Sequence, residues 1–262
     1  MSEFLWQNGS RVDAITLAMP RDRSRSGFWL GDGLFESMLV ADGEIFAKKR
    51  HIQRFEDAKR KLGLVEVVAD LEEGLAKARE WVGRECGQIR LSYLSNGDLI
   101  ITARHHLIPS EALALVHYPY PKNEESVLAG VKTLSYGENG AALRYAKQEG
   151  GDDVVFTNRS GFITESALAN ILLWDGESWW TPTLESGCLP GLTRELLIEY
   201  FGVKERDFMI DDLRGMKALA LTSALRDVQP VSSFQGHSYS ALSEVDRLRQ
   251  QFQDWRAKNP HP

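Results

Sequence analysis

Apolar residues in the N-terminal part of the chain fall in short runs bounded by turn residues, a pattern that is typical of β-strands. Residues 35–40 form one such run, and residues 45–47 are its predicted partner. The pair Asn96-Gly97 favours a type I′ turn between strands at residues 89–95 and 98–103. Three β-hairpins are therefore predicted, with turns at Asn8-Gly9, Asp42-Gly43 and Asn96-Gly97.

Elsewhere the apolar residues recur with the period of a helix. One predicted helix places Ile52, Phe55, Ala58 and Leu62 on the same face and ends at Gly63. The last periodic stretch of the chain predicts an amphipathic helix that packs on the larger domain. That last helix covers residues 242–252, and the other predicted helices lie at residues 71–81, at 141–146 and after 187–193. Further strands are predicted at 112–117, 154–156, 171–174, 179–180 and 218–222.

Proline residues indicate where the chain divides. Tyr118-Pro119-Tyr120-Pro121 holds two prolines in three positions, which blocks regular structure and favours a linker. The sequence thus predicts a small domain at residues 1–117, a linker at 118–124 and a larger domain at 125–262. The basic segment at residues 21–27 is predicted to be a solvated loop.

Composition excludes several classes of protein. Hydrophobic residues make up 43% of the 262 and charged residues 26%, as in an ordinary soluble globular protein. The net charge of −6, without a basic block, disfavours nucleic-acid binding. Cys86 and Cys188 lie far apart, which disfavours a disulfide framework or a zinc site and favours a reducing cytoplasm. The N-terminus is unlike a signal peptide, and no apolar run approaches about 18 residues, so no membrane span is expected.

Two features between residues 153 and 199 carry candidate chemistry. Glu165 is a single acidic residue beside a run of small and apolar residues. The segment at residues 187–193 is small and glycine-containing and leads into a helix start. Free backbone N–H groups at such a helix start suit a phosphate. An isolated carboxylate together with an anion site is what a phosphorylated, protonated heteroaromatic cofactor requires.

The same residues carry a resemblance to a known family. The chain resembles the fold-type IV pyridoxal-phosphate enzymes, which include branched-chain aminotransferases, D-amino-acid transaminases and 4-amino-4-deoxychorismate lyases. The resemblance covers nearly the whole chain and implies a two-domain α/β (α+β) fold with the cofactor between the domains, and a homodimer. The matching pieces are Gly161, Ile163, Glu165, Asn170-Ile171, Thr181-Pro182, the run Leu189 to Arg194, the G-D-G-x-F-E strand from Gly31, and His51 with Arg54.

The resemblance also implies roles for individual residues toward pyridoxal 5′-phosphate. Lys132, in a K-T-L-S-Y segment upstream of Gly151-Asp152-Asp153, is the lysine that carries the cofactor, and Glu165 faces the ring nitrogen. Arg90 is placed where relatives bind a substrate carboxylate. The residues assigned to cofactor binding with Lys132 and Glu165 are Arg54, Tyr136, Leu192, Thr193, Ser223 and Ala224.

Alternatives remain open for several of these residues and for the activity. Without the flanking pieces, Lys132, His51 and Arg54 would be ordinary surface groups, Arg90 an exposed strand residue, and Ser223 a turn former. Leu39 stands where many relatives carry arginine, and the short turn after Arg90 lacks the longer Ser-Arg-Gly-rich segment of lyases. The predicted activity is that of an aminodeoxychorismate lyase acting on a small molecule. The alternatives are an aminotransferase for branched-chain or D-amino acids, and a non-catalytic relative.

Overall fold

The computed structural model describes residues 3–16, 27–64 and 70–262. The predicted loop at residues 21–27 lies, except for Gly27, outside the described residues. The helices are α1 (Gly27–Leu30), α2 (Lys48–Leu62), α3 (Leu71–Val82), α4 (Gly137–Gln148), α5 (Leu192–Phe201) and α6 (Leu242–Lys258), with short 3-10 turns at Leu184–Ser186 and Ile210–Gly215. The strands are β1 (Phe4–Gln7), β2 (Ser10–Arg11), β3 (Gly33–Ala41), β4 (Glu44–Ile45), β5 (Gly87–Leu94), β6 (Leu99–His105), β7 (Leu113–His117), β8 (Asp153–Val155), β9 (Asn170–Trp174), β10 (Trp179–Thr181), β11 (Lys204–Glu205), β12 (Ala218–Ser223), β13 (Asp227–Phe234) and β14 (His237–Ser238).

The chain folds into two compact units. The first comprises Met1–Leu107, Val131–Tyr136 and Arg256–Pro262, and the second comprises Ile108–Gly130 and Gly137–Trp255. This division differs from the predicted boundary at residues 118–124. Strand β7 belongs to the second unit because it pairs in parallel with β8 and β13. The segment with Lys132 belongs to the first unit because it pairs with β3.

The first unit is built on a six-stranded sheet with the strand order β2-β1-β6-β5-β3-β4, in which every pair is antiparallel. The three predicted hairpins and the predicted helices α2 and α3 are all present. Alternate residues of β3, such as Leu34 and Met38, point into the core, where Phe55 of α2 and Leu75 of α3 cover them. The period-two pattern therefore decides which β3 side chains reach the core and which reach the opposite face.

The turn between β5 and β6 is not the predicted type I′ turn. Gly97 has a φ of 95°, whereas Asn96 is not among the residues with positive φ, and a type I′ turn requires both. The Gly97 N–H donates to the Leu94 carbonyl at 2.9 Å, and the Leu94 N–H donates to the Asp98 carbonyl at 2.9 Å. The hairpin thus closes through a turn from Leu94 to Gly97, in which the residue with positive φ, Gly97, is the last.

The second unit is built on an eight-stranded sheet with the order β11-β10-β9-β12-β13-β7-β8, and β14 pairs with β13. Helix α6 packs on this unit, as predicted, through Val245, Leu248 and Phe252, with the Phe252 ring 5.8 Å from that of Phe201. It has 17 residues and carries many charged side chains. No helix in the described part of the chain is both long enough and apolar enough to span a membrane.

Candidate active site

Lys132 is held at the edge of β3. The Phe35 N–H donates to the Lys132 carbonyl at 2.9 Å, and the Leu134 N–H donates to the Gly33 carbonyl at 2.9 Å. A Cβ added at Gly33 would overlap the Tyr93 carbonyl oxygen and lie 2.8 Å from Leu134 Cδ1. Glycine at position 33 is therefore required for the lysine segment to approach the strand this closely.

The Phe35 ring brings three of the predicted site residues together. The Lys132 Nζ lies 4.3 Å from the ring centroid, and the Arg90 Cζ lies 3.8 Å from it. The Tyr136 ring meets Phe35 edge-on, with centroids 5.2 Å apart. Because β3 and β5 pair Ser37 with Arg90, Arg90 projects from the same sheet face as Phe35. The basic groups of Lys132 and Arg90 thus contact the same aromatic ring. Burial lowers the pKa of the Arg90 guanidinium.

Arg54 lies on α2 and is held by Glu36 of β3. The Arg54 Nε donates to Glu36 Oε1 at 2.8 Å, and its Nη2 donates to Oε2 at 2.7 Å. His51, one turn earlier on α2, places its Nδ1 at 2.8 Å from Glu36 Oε2. We call Glu36, His51 and Arg54 the Glu36 cluster. The glutamate is 1% exposed, so this carboxylate is buried inside the first unit.

The pattern of β3 contains a signal for this cluster that the sequence analysis did not use. Glu36 occupies a core-facing position between Leu34 and Met38, where an apolar residue is the rule. A buried carboxylate requires cationic or hydrogen-bonding partners, and the sequence supplies them one helical turn apart at His51 and Arg54.

Burial and charge set the protonation states of the Glu36 cluster. Burial by itself would raise the pKa of Glu36, but the Arg54 charge and the hydrogen bonds from His51 and Arg54 outweigh it and hold the pKa well below its usual range. Burial lowers the pKa of His51, which the Glu36 carboxylate offsets only in part. His51 is therefore neutral at pH 7, and the contact with Glu36 assigns its proton to Nδ1.

These shifts predict loss of stability in mild acid. Below about pH 6.5, His51 is protonated in the unfolded chain but remains neutral to lower pH in the folded protein. The free energy of unfolding of the apoprotein should therefore decrease as the pH is lowered. The slope from one such group is at most about 1.4 kcal/mol per pH unit, and Glu36 adds to it below about pH 4.3. Denaturant titrations of the wild type and His51→Asn between pH 7 and 5 measure the slope.

Between pH 7 and 5, the free energy of unfolding of His51→Asn should depend less steeply on pH than that of the wild type. His261→Gln, which changes a half-exposed histidine of the same unit, is the matched control and should retain the wild-type slope. Equal slopes in the wild type and His51→Asn would show that His51 does not cause the acid lability.

Glu165 is fixed within the second unit by contacts to both of its oxygens. The Lys122 Nζ donates to Oε1 at 2.7 Å, and the Leu189 N–H donates to Oε2 at 3.0 Å. The Glu165 carbonyl accepts from the Phe156 N–H at 2.9 Å. Lys122 also lies over the Phe156 ring, 4.4 Å from its centroid. The carboxylate of Glu165 therefore has one orientation, set by a cation and a backbone amide.

Lys122 is a site residue that the sequence analysis missed. It falls inside the segment predicted as a linker, directly after Pro121. Its N–H donates to the Thr157 carbonyl at 2.8 Å, which ties the linker to the strand region beside Glu165. Only a single basic residue marks the position in the sequence, and such residues are usually solvated.

The N-terminus of α5 packs closely against the side chain of Asn170. Its N-cap residue is Gly191, and the first-turn residues Leu192 and Thr193 are 6% and 3% exposed. A Cβ at Gly191 would overlap Asn170 Oδ1, while Asn170 Nδ2 donates to the Leu189 carbonyl at 2.8 Å. First-turn N–H groups have no partner within their own helix and carry partial positive charge, so this end of α5 suits an anion.

Ser223 and Ala224 lie where β12 ends. Ser223 is the last residue of β12, and its carbonyl accepts from the Arg226 N–H at 3.1 Å. The two residues are thus part of a tight turn that connects β12 to β13, and both are half-buried. Their predicted part in phosphate binding stays a prediction.

Comparison with known proteins identifies the family. Residues 33–234 match the model of Amino-transferase class IV. The chain belongs to this family.

A D-alanine aminotransferase of Listeria monocytogenes serotype 4b (strain F2365) is 25% identical over 80% of the chain and 81% of the relative. A bifunctional aminodeoxychorismate lyase / D-amino acid transaminase of Mycobacterium tuberculosis is 26% identical over 79% of the chain and 83% of the relative. The crystal structure of a branched-chain aminotransferase from Thermoproteus uzoniensis with norvaline has a TM-score of 0.84, with 20% identity over 95% of this chain and 93% of the other.

The side chains of this class IV aminotransferase family member fit the cofactor that the sequence predicted. Lys132 would supply an amine, Arg54 a cation for the phosphate, and Glu165 a carboxylate for the ring nitrogen. The α5 N-terminus would supply backbone donors for an anion. The family confirms an enzyme that uses pyridoxal phosphate, and the similar structures confirm the fold-type IV architecture.

Proposed function

We propose that the protein is a 4-amino-4-deoxychorismate lyase, which splits its substrate into 4-aminobenzoate and pyruvate. The observation that carries the proposal is the group of side chains around Phe35. It presents the amine of Lys132 and the guanidinium of Arg90 on one aromatic ring, with Tyr136 edge-on to that ring. A flat, unsaturated substrate that bears both an amine and a carboxylate matches this combination.

Lys132 has the central part in the proposed reaction. Its amine takes the proton from the substrate carbon that carries the amino group. Bound pyridoxal phosphate supplies the electron sink for the electrons left on that carbon. The bond between the neighbouring carbon and the enolpyruvyl oxygen then breaks as the ring becomes aromatic. Lys132 returns the proton to the methylene carbon of the leaving fragment, which departs as pyruvate.

Other residues of the chain bind and orient in this proposal. Arg90 pairs with a substrate carboxylate, and the carboxylate of Glu165 favours a protonated ring nitrogen. The residues proposed for the cofactor phosphate are Arg54, Leu192, Thr193, Ser223 and Ala224. A homodimer in a reducing compartment completes the proposal; the free thiols of Cys86 and Cys188 are consistent with that compartment.

The second candidate is an aminotransferase for D-amino acids or branched-chain amino acids. The short turn from Leu94 to Gly97 after β5 favours it, because lyases of the family carry a longer segment there. The similar D-alanine aminotransferases also support it. The bifunctional relative from Mycobacterium tuberculosis bears both activities in its name, so the assay must measure each of them separately.

The two candidates differ in what ends a turnover. A lyase recovers its starting state unaided, so many equivalents of 4-aminobenzoate and pyruvate should form without any keto acid. An aminotransferase stops after one equivalent until a keto acid arrives. We expect sustained lyase turnover with aminodeoxychorismate alone, measured by chromatography of both products. Turnover that ceases after one equivalent and resumes with 2-oxoglutarate would overturn the lyase proposal in favour of the aminotransferase.

The role of Arg90 gives the assay a second arm. Arg90→Ala removes the partner of the substrate carboxylate, and KM should rise by about 10- to 100-fold, since a charged hydrogen bond contributes about 1.5–3 kcal/mol. Arg84→Ala, which removes an exposed arginine of the same unit, should leave KM unchanged. An unchanged KM in Arg90→Ala would assign the substrate carboxylate to another residue.

A further inference from the structure

We propose that Glu36 is a positioning residue for cofactor binding, which acts by holding the Arg54 guanidinium in the orientation that receives the cofactor phosphate. His51 supports it by donating to the same carboxylate. The inference rests on the proposed phosphate role of Arg54. It adds two residues, Glu36 and His51, whose side chains need not touch the cofactor.

The geometry of the Glu36 cluster leaves Arg54 little rotational freedom. Two N–H groups of one guanidinium edge meet the two oxygens of one carboxylate, at 2.8 Å and 2.7 Å. This fork fixes the plane of the guanidinium as well as its position. His51 Nδ1, at 2.8 Å, fixes the carboxylate itself. A guanidinium carries more N–H donors than the two that Glu36 uses, so the fork is compatible with a second anion.

Stability alone does not account for a carboxylate at this position. Glu36 is 1% exposed, and its neighbours on the same strand face are Leu34 and Met38. Buried ion pairs contribute little net stability, and apolar residues of similar volume often replace them without loss. A buried glutamate in an apolar row is therefore better explained by what it orients than by what it stabilises.

Two effects of Glu36 on phosphate binding oppose each other. Its negative charge offsets the positive charge of Arg54, which weakens the attraction of the pair for a dianion. Its hydrogen bonds pre-organise the arginine, which lowers the entropy lost on binding. We expect the gain from orienting Arg54 to exceed the loss from neutralising its charge. In Glu36→Gln the amide presents donors to a site that already holds three N–H donors, so the fork is lost and Arg54 turns away.

The test compares pyridoxal phosphate with pyridoxal, which lacks the phosphate. Equilibrium titration of the apoprotein measures both affinities in Arg54→Ala, in Glu36→Gln and in the double variant. We expect each single variant to weaken pyridoxal phosphate by about tenfold or more and to leave pyridoxal unchanged. In the Arg54→Ala background, Glu36→Gln should have no further effect, because it acts through that arginine. The 31P chemical shift of the bound cofactor should move in both single variants.

The matched control is Glu72→Gln, which makes the same chemical change in a surface ion pair with Lys48 of the same unit and should bind both compounds as the wild type does. Glu36→Asp keeps the charge but moves the carboxylate oxygens away from Arg54, because the side chain is shorter. This variant tests the positioning role if Glu36→Gln does not fold. If Arg54→Ala keeps the wild-type ratio of affinities for pyridoxal phosphate and pyridoxal, the role of Arg54 is overturned, and the inference with it. If Arg54→Ala loses the preference for pyridoxal phosphate over pyridoxal, but the Glu36 variants bind pyridoxal phosphate as tightly as the wild type or more tightly, only the positioning role of Glu36 is overturned.

Discussion

Replacing Lys132 with alanine should abolish both the visible absorbance of the lysine-bound cofactor and catalysis. In the proposed reaction, the lysine amine forms the covalent link to the cofactor and moves the substrate proton. Backbone hydrogen bonds to β3 place the Lys132 side chain over the Phe35 ring. Alanine at position 132 keeps these backbone hydrogen bonds. The expected loss of activity is therefore chemical and amounts to about 10⁴-fold or more when covalent and acid–base roles are lost together.

Absorbance spectra of purified wild type and Lys132→Ala, recorded with added pyridoxal phosphate, measure the effect directly. Lys147→Ala removes a lysine from the exposed side of α4 and should keep the wild-type spectrum and activity. Retention of the lysine-bound absorbance in Lys132→Ala would mean that another lysine carries the cofactor.

Replacing Glu165 with glutamine should retain the cofactor but reduce turnover by about 10²-fold or more, the effect of removing an electrostatic catalytic group. Glutamine keeps the shape of the side chain but loses the charge that, in the proposed reaction, favours a protonated ring nitrogen. Lys122, which lies 2.7 Å from Oε1, loses its anionic partner at the same time. Steady-state assays at saturating cofactor, together with a cofactor titration, separate turnover from binding.

Two comparisons sharpen the Glu165 experiment. Glu177→Gln changes an exposed glutamate of the same unit and should behave as the wild type. Lys122→Met removes the cation that orients Glu165 but keeps the carboxylate, so its loss of turnover should be smaller than that of Glu165→Gln. Near-normal turnover in Glu165→Gln would show that a different residue faces the ring nitrogen.

Local patterns in the sequence correctly predicted most of the secondary structure and supplied the candidates for the reactive groups. The helical period of Ile52, Phe55, Ala58 and Leu62 correctly predicted α2, because a helix must bury one stripe of its surface. Motif spacing singled out Lys132 and Glu165, since the chemistry of an amine and an isolated carboxylate resides in single side chains. These features require no knowledge of distant parts of the chain.

Long-range pairing decided what the sequence patterns could not. The Asn96-Gly97 pair fits a type I′ turn, yet the hydrogen bond from Gly97 to Leu94 selects another turn. Strand β7 precedes the predicted linker but belongs to the second unit, because its partners β8 and β13 lie far along the chain. Sequence order cannot show such partners, since the pairing energy comes from strands that meet only after folding.

The tertiary structure also decided the partners of the charged site residues. Arg54 was predicted to meet a phosphate, and the fold gives it a buried carboxylate on β3, 18 positions earlier. Glu165 received Lys122 from a segment predicted to be only a linker, 43 positions earlier. A charge buried away from water requires a partner, but only the packing of α2 on β3, and of the linker on Phe156, determines which residue provides it.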